Sequence, residues 1–273
     1  MLNTESPLLL GAEAEFLFVD EGGHIHNLRD VGVLMPADVV GCDGHTDTIE
    51  IRSTPARTAE EVFQSVRKNL NLYHKTIMPF VADISHPFPA RNAYCIPARA
   101  GAYFGTPLGI HVHFSGFPME NAELLVRTCA RVLMHNFLER AVAPKELQER
   151  VARGYGARAH FTDRIRVKGP NWFEWREPYS CLHPMHFAFL LLGSQVLAEA
   201  TAANPAYVKA QICEVNHRGP EAYFEKIAVC VPHLKKECAQ INQIAPQIRK
   251  LGVFNWHQDI LQHWTTPKSK RKG

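Results

Sequence analysis

The chain lacks most of the features that would tie it to a membrane, a disulfide scaffold or the commonest nucleotide folds. Its longest uninterrupted apolar run, Phe187 to Leu192, falls far short of the roughly 20 residues that span a bilayer. No basic segment precedes Leu8-Leu9-Leu10 to make a secretory signal, so a soluble, cytoplasmic protein without a membrane partner is expected. The seven cysteines are odd in number and contain no Cys-x-x-Cys spacing, which argues against a disulfide framework and a zinc knuckle and for a reducing compartment. An excess of one charge is missing too: a formal net charge of +3 does not by itself imply a nucleic-acid partner, and Lys268 to Lys272 reads as a solvated tail. Neither a Gly-x-x-x-x-Gly-Lys-Ser/Thr loop nor a Gly-x-Gly-x-x-Gly turn opens a helix, which disfavours P-loop and dinucleotide-binding enzymes. With no linker and no internal repeat, 273 residues of which 46% are hydrophobic fit one large domain. That domain is taken as residues 1–265, followed by a disordered basic tail at 266–273.

What the chain does contain is a repeated spacing. Glu13-Ala14-Glu15, Glu50-Ile51-Arg52, His111-Val112-His113 and Glu174-Trp175-Arg176 each set two polar side chains two residues apart within an apolar stretch. Side chains alternate faces along a β-strand, so this spacing aims both members of a pair at one side of a sheet while Ala14, Ile49, Ile51, Val112, Phe173 and Trp175 pack on the other. Glutamates, histidines and arginines gathered on one face supply oxygen and imidazole ligands for divalent cations, with forks for phosphate or carboxylate. The inventory suits a nucleotide–metal site.

The surrounding sequence places these strands. Phe16 to Val19, then Asp20-Glu21-Gly22-Gly23 and His24-Ile25-His26, read as a hairpin, and a second strand covers Thr48 to Arg52. Thr58 with Glu61 forms a capping box, and Val62, Val66, Leu70 and Tyr73 follow at helical spacing until Pro79, where the helix is expected to stop. Phe80 to Gly109, rich in Pro, Gly and Ala, reads as a long irregular excursion suited to a lid. Helices are expected near Asn121 to Val142, Pro184 to Ala203 and Pro205 to Val215, and again from Pro220, with Pro184 and Pro205 in first-turn positions. The fold class is α+β: an antiparallel sheet with helices on one side.

Each pair has a structural alternative. Glu13 and Glu15 could face water, but two carboxylates on one strand face repel unless a cation relieves them, and small Gly11, Ala12 and Ala14 tilt the reading toward an ion. Glu50 with Arg52 could be an intrastrand salt bridge worth at most about 1 kcal/mol. A single buried histidine is most often a structural one, yet His111 and His113 lie in register in a strand that otherwise reads as core. The segment Asn171 to Pro178 is the most specific, because bulky aromatics hold Glu174 and Arg176 stiffly in place. Upstream, Arg153-Gly154-Tyr155-Gly156-Ala157-Arg158 and then Arg164, Arg166 and Lys168 form a Gly-punctuated basic stretch, either an exposed loop or a polyphosphate clamp.

Taken in order, Gly11-Ala-Glu-Ala-Glu-Phe16, Asp43-Gly44 leading to Ile49-Glu-Ile-Arg52, Gly109-Ile-His-Val-His-Phe114 and Phe173-Glu-Trp-Arg176 running to Ser180 resemble the glutamine synthetase-like carboxylate–amine ligases. The resemblance is strongest to the compact amidoligases met in phage and bacterial genomes, and it covers roughly Gly11 to Ser180. It implies a curved antiparallel sheet, like the glutamine synthetase catalytic domain, holding ATP with Mg²⁺ or Mn²⁺. By similarity, Glu13, His111 and Glu174 would surround the ion near the transferred phosphate, Glu15 and Glu50 would hold the ion nearer the acceptor, and His113 would lie against the phosphates. The chain departs from glutamine synthetase in its shorter length and in offering only Glu50 where the larger enzyme has two glutamates, which leaves the number of ions open.

The chemistry so implied joins a small-molecule or peptide carboxylate acceptor to an amine donor. A carboxylate is a poor electrophile, so the γ-phosphoryl group of ATP moves to it first, giving an acyl phosphate that the amine attacks. Arg176 and Arg166 would grip the phosphoryl oxygens, with Tyr155 and Lys168 beside the nucleotide, and Arg52 would serve the phosphate or the acceptor carboxylate. Asp43, in a Gly-flanked loop, is the candidate for attracting or deprotonating the amine. Two other readings stay open: a phosphotransferase similar to guanidino kinases on the same fold, and a non-catalytic metal-stabilised assembly protein.

Overall fold

The strand with the clearest division between its faces is also the longest. In β1 (Leu9–Val19) the residues Leu10, Ala12, Ala14 and Phe16 are buried against the core, while Gly11, Glu13 and Glu15 turn to the opposite face by the strand's period of two. The computed structural model describes residues 7–19, 25–26, 36–42, 48–82, 94–97, 108–141, 148, 152, 164–178, 183–212, 215, 219–252 and 264. The other strands are β2 (Ile25–His26), β3 (Val40–Cys42), β4 (Thr48–Arg52), β5 (Tyr94–Pro97), β6 (Ile110–Ser115), β7 (Ile165–Gly169) and β8 (Trp172–Trp175). They form one open antiparallel sheet in the order β3-β4-β1-β6-β8-β7, with β2 and β5 pairing along the far half of β1.

The register stacks like with like. On the apolar face Ala12 opposes Val112, and Val112 in turn opposes Trp175; Leu10, Phe114 and Phe173 form the next row. Small alanines on the central strand leave room for the large rings beside them, where Phe114 and Phe173 stack with centroids 5.1 Å apart and Phe117 meets Phe173 edge-on at 5.8 Å. Such pairs add to the burial of their area.

Helices cover this apolar face. α1 (Ala59–Ala82) opens with the expected reciprocal cap: the Thr58 N–H donates to Glu61 Oε2 at 3.1 Å and Thr58 Oγ1 accepts from the Glu61 N–H at 3.3 Å, satisfying two of the helix's otherwise orphan donors. Val62, Val66, Leu70 and Tyr73 are buried, and Tyr73 meets Phe16 edge-on at 5.3 Å. The helix does not stop at Pro79 as its sequence suggests. It continues to Ala82, because a proline removes one N–H and crowds the preceding turn without forbidding the turn that follows.

α2 (Ala122–Cys129) runs into a wider π-type turn, Ala130–Met134, and a short 3₁₀ turn covers Leu138–Ala141. α3 (Pro184–Ala203) and α4 (Pro205–Gln211) each place proline in the first turn as expected, and α5 (Pro220–Cys230) and α6 (Lys235–Leu251) follow them in the helical layer. α3 is long and apolar enough to cross a membrane by length and composition, but 78% of that stretch is buried inside the protein. It is the helix at the centre of the core, and at Gly193 it admits the Leu133 side chain so closely that any added Cβ would overlap it.

Two expectations for irregular chain need correction. The excursion from Phe80 to Gly109 contains β5, paired with Phe16 to Val19 of β1; residues 83–93 and 98–107 lie outside the described residues. The basic stretch before Glu174 is not wholly loop, since Ile165–Gly169 forms edge strand β7, with a register irregularity between Val167 and Gly169. A strand exposed on both sides lacks the apolar–polar alternation that marks a half-buried one.

One buried group makes the helical layer sensitive to acid. His186 of α3 is buried, and burial followed by the nearby His183 pushes its pKa down to about 4. The unfolded chain binds this proton near 6.5, so stability is full above pH 6.5 and drains as pH falls from 6.5 to 4. The loss approaches about 3 kcal/mol at 1.36 kcal/mol per pKa unit. Urea unfolding at pH 7.5 and pH 4.5 is expected to show a drop in wild-type stability that is smaller by about 2 kcal/mol in His186→Gln; equal drops would place the acid sensitivity elsewhere.

Candidate metal and phosphate site

The polar face of the sheet gathers the paired residues into one diagonal band. Register sets Glu13 opposite Arg52 on one side and His111 on the other, Glu15 opposite Glu50, and Glu174 between His113 and Arg166. Residues directly opposed across antiparallel strands share a face, so four segments distant in sequence converge without any loop having to position them. Glu15, Glu50, His111 and Glu174 are buried among the polar residues of the core.

Two poles can be distinguished within the band. At the first, Glu13, Glu50 and His111 each offer one ligand atom, and the three atoms lie within 4.8 Å of one another. Glu15 stands beside them, its Oε1 3.6 Å from His111 Nε2, while its Oε2 accepts a 2.6 Å hydrogen bond from the Gly109 N–H. Arg52 closes this pole by donating to Glu50 Oε2 from Nε at 3.1 Å and Nη2 at 2.6 Å, with Nη1 donating to the Ala37 carbonyl at 2.9 Å. The guanidinium lies so tightly over Gly41 that a Cβ there would overlap it, and Asn69 of α1 donates to the Arg52 carbonyl at 2.6 Å.

At the second pole a fully buried Glu174 is surrounded by positive charge. Lys168 Nζ lies 2.8 Å from Oε2, Arg166 Nη1 3.7 Å from the same atom, Arg176 Nε 3.1 Å from Oε1 and His111 Nδ1 3.1 Å from Oε1. These are ion-pair contacts whose angles do not make hydrogen bonds: Glu174 Oε1 and Oε2, Arg176 Nε and His111 Nδ1 are all buried without a hydrogen-bond partner. Buried polar atoms left so are costly and call for an explanation, and a ligand entering between them supplies one.

The electrostatics follow the geometry. Burial by itself would raise the Glu13 pKa, but His111 and His113 outweigh it and hold the carboxyl far below the usual carboxylate range. Burial by itself would lower His111; Glu13, then Glu15 and Glu174, reverse that and raise it. Glu174 is likewise kept ionised against its burial by His111, Lys168 and Arg166. A carboxylate cluster that draws a proton onto its histidine is one a divalent cation can occupy in the proton's place. Oxygen donors with one imidazole fit a hard or borderline ion such as Mg²⁺ or Mn²⁺.

Of the residues singled out from sequence, Glu13, Glu15, Glu50, His111, His113, Glu174, Arg52, Arg166, Lys168 and Arg176 all stand on this face, and His113 Nε2 is 3.4 Å from Glu13 Oε2. Glu174 stands outside the close triad of Glu13, Glu50 and His111 and among the cations. Asp43 and Tyr155 lie outside the described residues. Sequence reasoning missed three supports. Gly41 and Asn69 carry no local signal, while Glu177, which accepts from the Trp175 indole N–H at 2.8 Å and pairs with Arg164 at 3.5 Å, is a buried carboxylate on the face opposite Glu174 that its spacing from Trp175 could have indicated.

This mixed sheet–helix architecture is shared with a solved structure. The ligase PafA, solved in complex with the prokaryotic ubiquitin-like protein Pup, superposes with a TM-score of 0.56 at 11% identity over 89% of this chain and 64% of that one. The two chains share a fold. Looser matches include a bifunctional glutathione synthetase from Pasteurella multocida (TM-score 0.46, 13% identity, 89% of this chain and 47% of that one) and a glutamate–cysteine ligase from Francisella tularensis in complex with AMP (0.38, 10%, 94% and 91%). The chain spans less than two thirds of the length of PafA and of the glutathione synthetase. No family model and no curated protein matches its sequence.

Proposed function

We propose that the protein is an ATP-dependent carboxylate–amine ligase that forms an amide or peptide bond through an acyl phosphate. The observation that carries this reading is the juxtaposition of the two poles: three ligand atoms within 4.8 Å beside a buried carboxylate ringed by Lys168, Arg166 and Arg176. A site for divalent cations next to a site for phosphate is what transfer of a phosphoryl group to a carboxylate requires, since two anions must meet.

Glu13, Glu50 and His111 would hold Mg²⁺ or Mn²⁺, with Glu15 and Glu174 as the nearest further carboxylates. The ions would neutralise charge on the transferring phosphoryl group. Arg52 is a positioning residue, because its fork on Glu50 Oε2 orients that carboxylate toward the triad. Arg176, Arg166 and Lys168 bind phosphate oxygens, and His113 lies between them and Glu13. A carboxylate oxygen of the acceptor attacks the γ-phosphorus, ADP leaves, and the amine then displaces phosphate from the carbonyl, losing a proton to Asp43 in the proposed assignment. Tyr155 belongs beside the nucleotide by the same assignment. A small-molecule or peptide acid is the acceptor class.

The test is isotopic. A screen of amino acids and peptides for amine-stimulated ADP release is expected to reveal a substrate pair, and ¹⁸O placed in the acceptor carboxylate is then expected in the released inorganic phosphate. Stoichiometric AMP, or label retained in a phosphorylated product, would overturn the ligase mechanism; the second result would point to a kinase on the same fold.

A further inference from the structure

β8 is otherwise a buried strand. Phe173, Glu174 and Trp175 are all 0% exposed, yet Trp172 at its head is 43% exposed. By the period of two it shares the face of Glu174 and Arg176, opposite the face on which Phe173 and Trp175 pack. Its ring lies 6.2 Å from the His113 ring, tilted 40°, and His113 Nε2 reaches Glu13 Oε2 at 3.4 Å. Lys168 and Arg166, on the neighbouring strand, turn to the same buried Glu174. The indole therefore stands at the open end of the polar band, with the cations and the metal triad behind it.

An indole face left in water at the mouth of a charged site costs apolar hydration that a packed position would avoid. Its surroundings match one ligand chemistry in particular: a planar aromatic ring joined to a chain of phosphates. The ring gains by stacking on the indole while the phosphates reach the lysine and arginines, the combination by which aromatic platforms and basic grooves bind nucleotides.

We infer that Trp172 is the stacking platform for the base of the nucleotide and is a specificity-determining residue of the site. The inference rests on the nucleotide–metal reading above and deepens it: the phosphates are held by Lys168, Arg166 and Arg176, and the base is held by Trp172. Discrimination between a nucleoside triphosphate and a bare polyphosphate then resides in this one side chain.

The test compares two probes in the presence of Mg²⁺, a non-hydrolysable ATP analogue and inorganic tripolyphosphate, by calorimetry on the wild type, Trp172→Ala and Trp172→Phe. Loss of one base stack corresponds to roughly 5- to 150-fold in affinity. Trp172→Ala is expected to weaken the ATP analogue by that factor and leave tripolyphosphate unchanged. Trp172→Phe is expected to recover most of the loss and to remove the quenching of intrinsic fluorescence that the analogue produces in the wild type. Unchanged analogue affinity in Trp172→Ala, or equal weakening of both probes, overturns the platform. A wild type that binds neither probe overturns the nucleotide reading itself, and the platform with it.

Discussion

Glu13→Gln is expected to lower metal-dependent turnover about a thousandfold while leaving the chain folded. The magnitude follows from the several kcal/mol that a bound ion contributes to stabilising transferred charge, at 1.36 kcal/mol per tenfold. The change is isosteric and removes one negative charge from a face that holds Glu13, Glu15, Glu50 and Glu174 in close register. Without metal the variant is nevertheless expected to melt below the wild-type temperature, because His111 at 3.6 Å and His113 at 3.4 Å lose the carboxylate that they hold ionised. The discriminating measurement is a metal titration followed by thermal melting. Millimolar Mg²⁺ or Mn²⁺ raises the wild-type melting temperature, more so with an ATP analogue present, by the stabilisation that any ligand of the folded state confers, whereas Glu13→Gln gains little. A wild-type curve that ignores metal would count against the triad. If the variant kept its turnover, the carboxylate would be a structural partner of the histidines only.

The polar face was legible from sequence because it depends on strand period alone. Spacings of two at 13 and 15, 50 and 52, 111 and 113, and 174 and 176 survive any uncertainty about loops, and antiparallel register then brings them together. The capping box at Thr58 and the first-turn prolines at 184 and 205 were equally local signals. What escaped depends on contacts that no window of sequence contains. β7 carries Arg166 and Lys168 with an exposed Val167 between them, and such an edge strand looks the same as a basic loop. β5 is a strand only because β1 offers Phe16 to Val19 as a template. A Cβ at Gly41 would meet the Arg52 guanidinium, which folds back across it toward Glu50, a long-range steric fact. Arg52 itself, read as a hand for phosphate or acceptor, donates to Glu50 Oε2 and to the Ala37 carbonyl, the latter outside any local window. The proximity of Glu174 to three cations was likewise hidden, since Lys168 and Arg166 reach it from a strand whose existence the sequence did not declare.

The second pole makes its own demand on side-chain shape. Arg176 lies 3.1 Å from Glu174 Oε1 through Nε, and its backbone N–H is fixed by the Arg164 carbonyl at 2.9 Å, so the fork projects from a rigid strand end. Lysine at this position keeps the charge and the attraction to Glu174 but loses the planar pair of donors that grips two phosphoryl oxygens at once. Arg176→Lys is therefore expected to bind an ATP analogue within about tenfold of the wild type, through the retained charge, while turnover falls by about two orders of magnitude, as for loss of one preorganised donor at the point where charge develops. The separation of binding from rate is the informative result, because an interaction made mainly in the transition state lowers turnover without a matching loss of ground-state affinity. Equal losses in affinity and turnover would make Arg176 a ground-state phosphate ligand. Near-normal turnover would mean that its role ends at neutralising the buried Glu174, and the phosphate grip would then pass to Arg166 and Lys168.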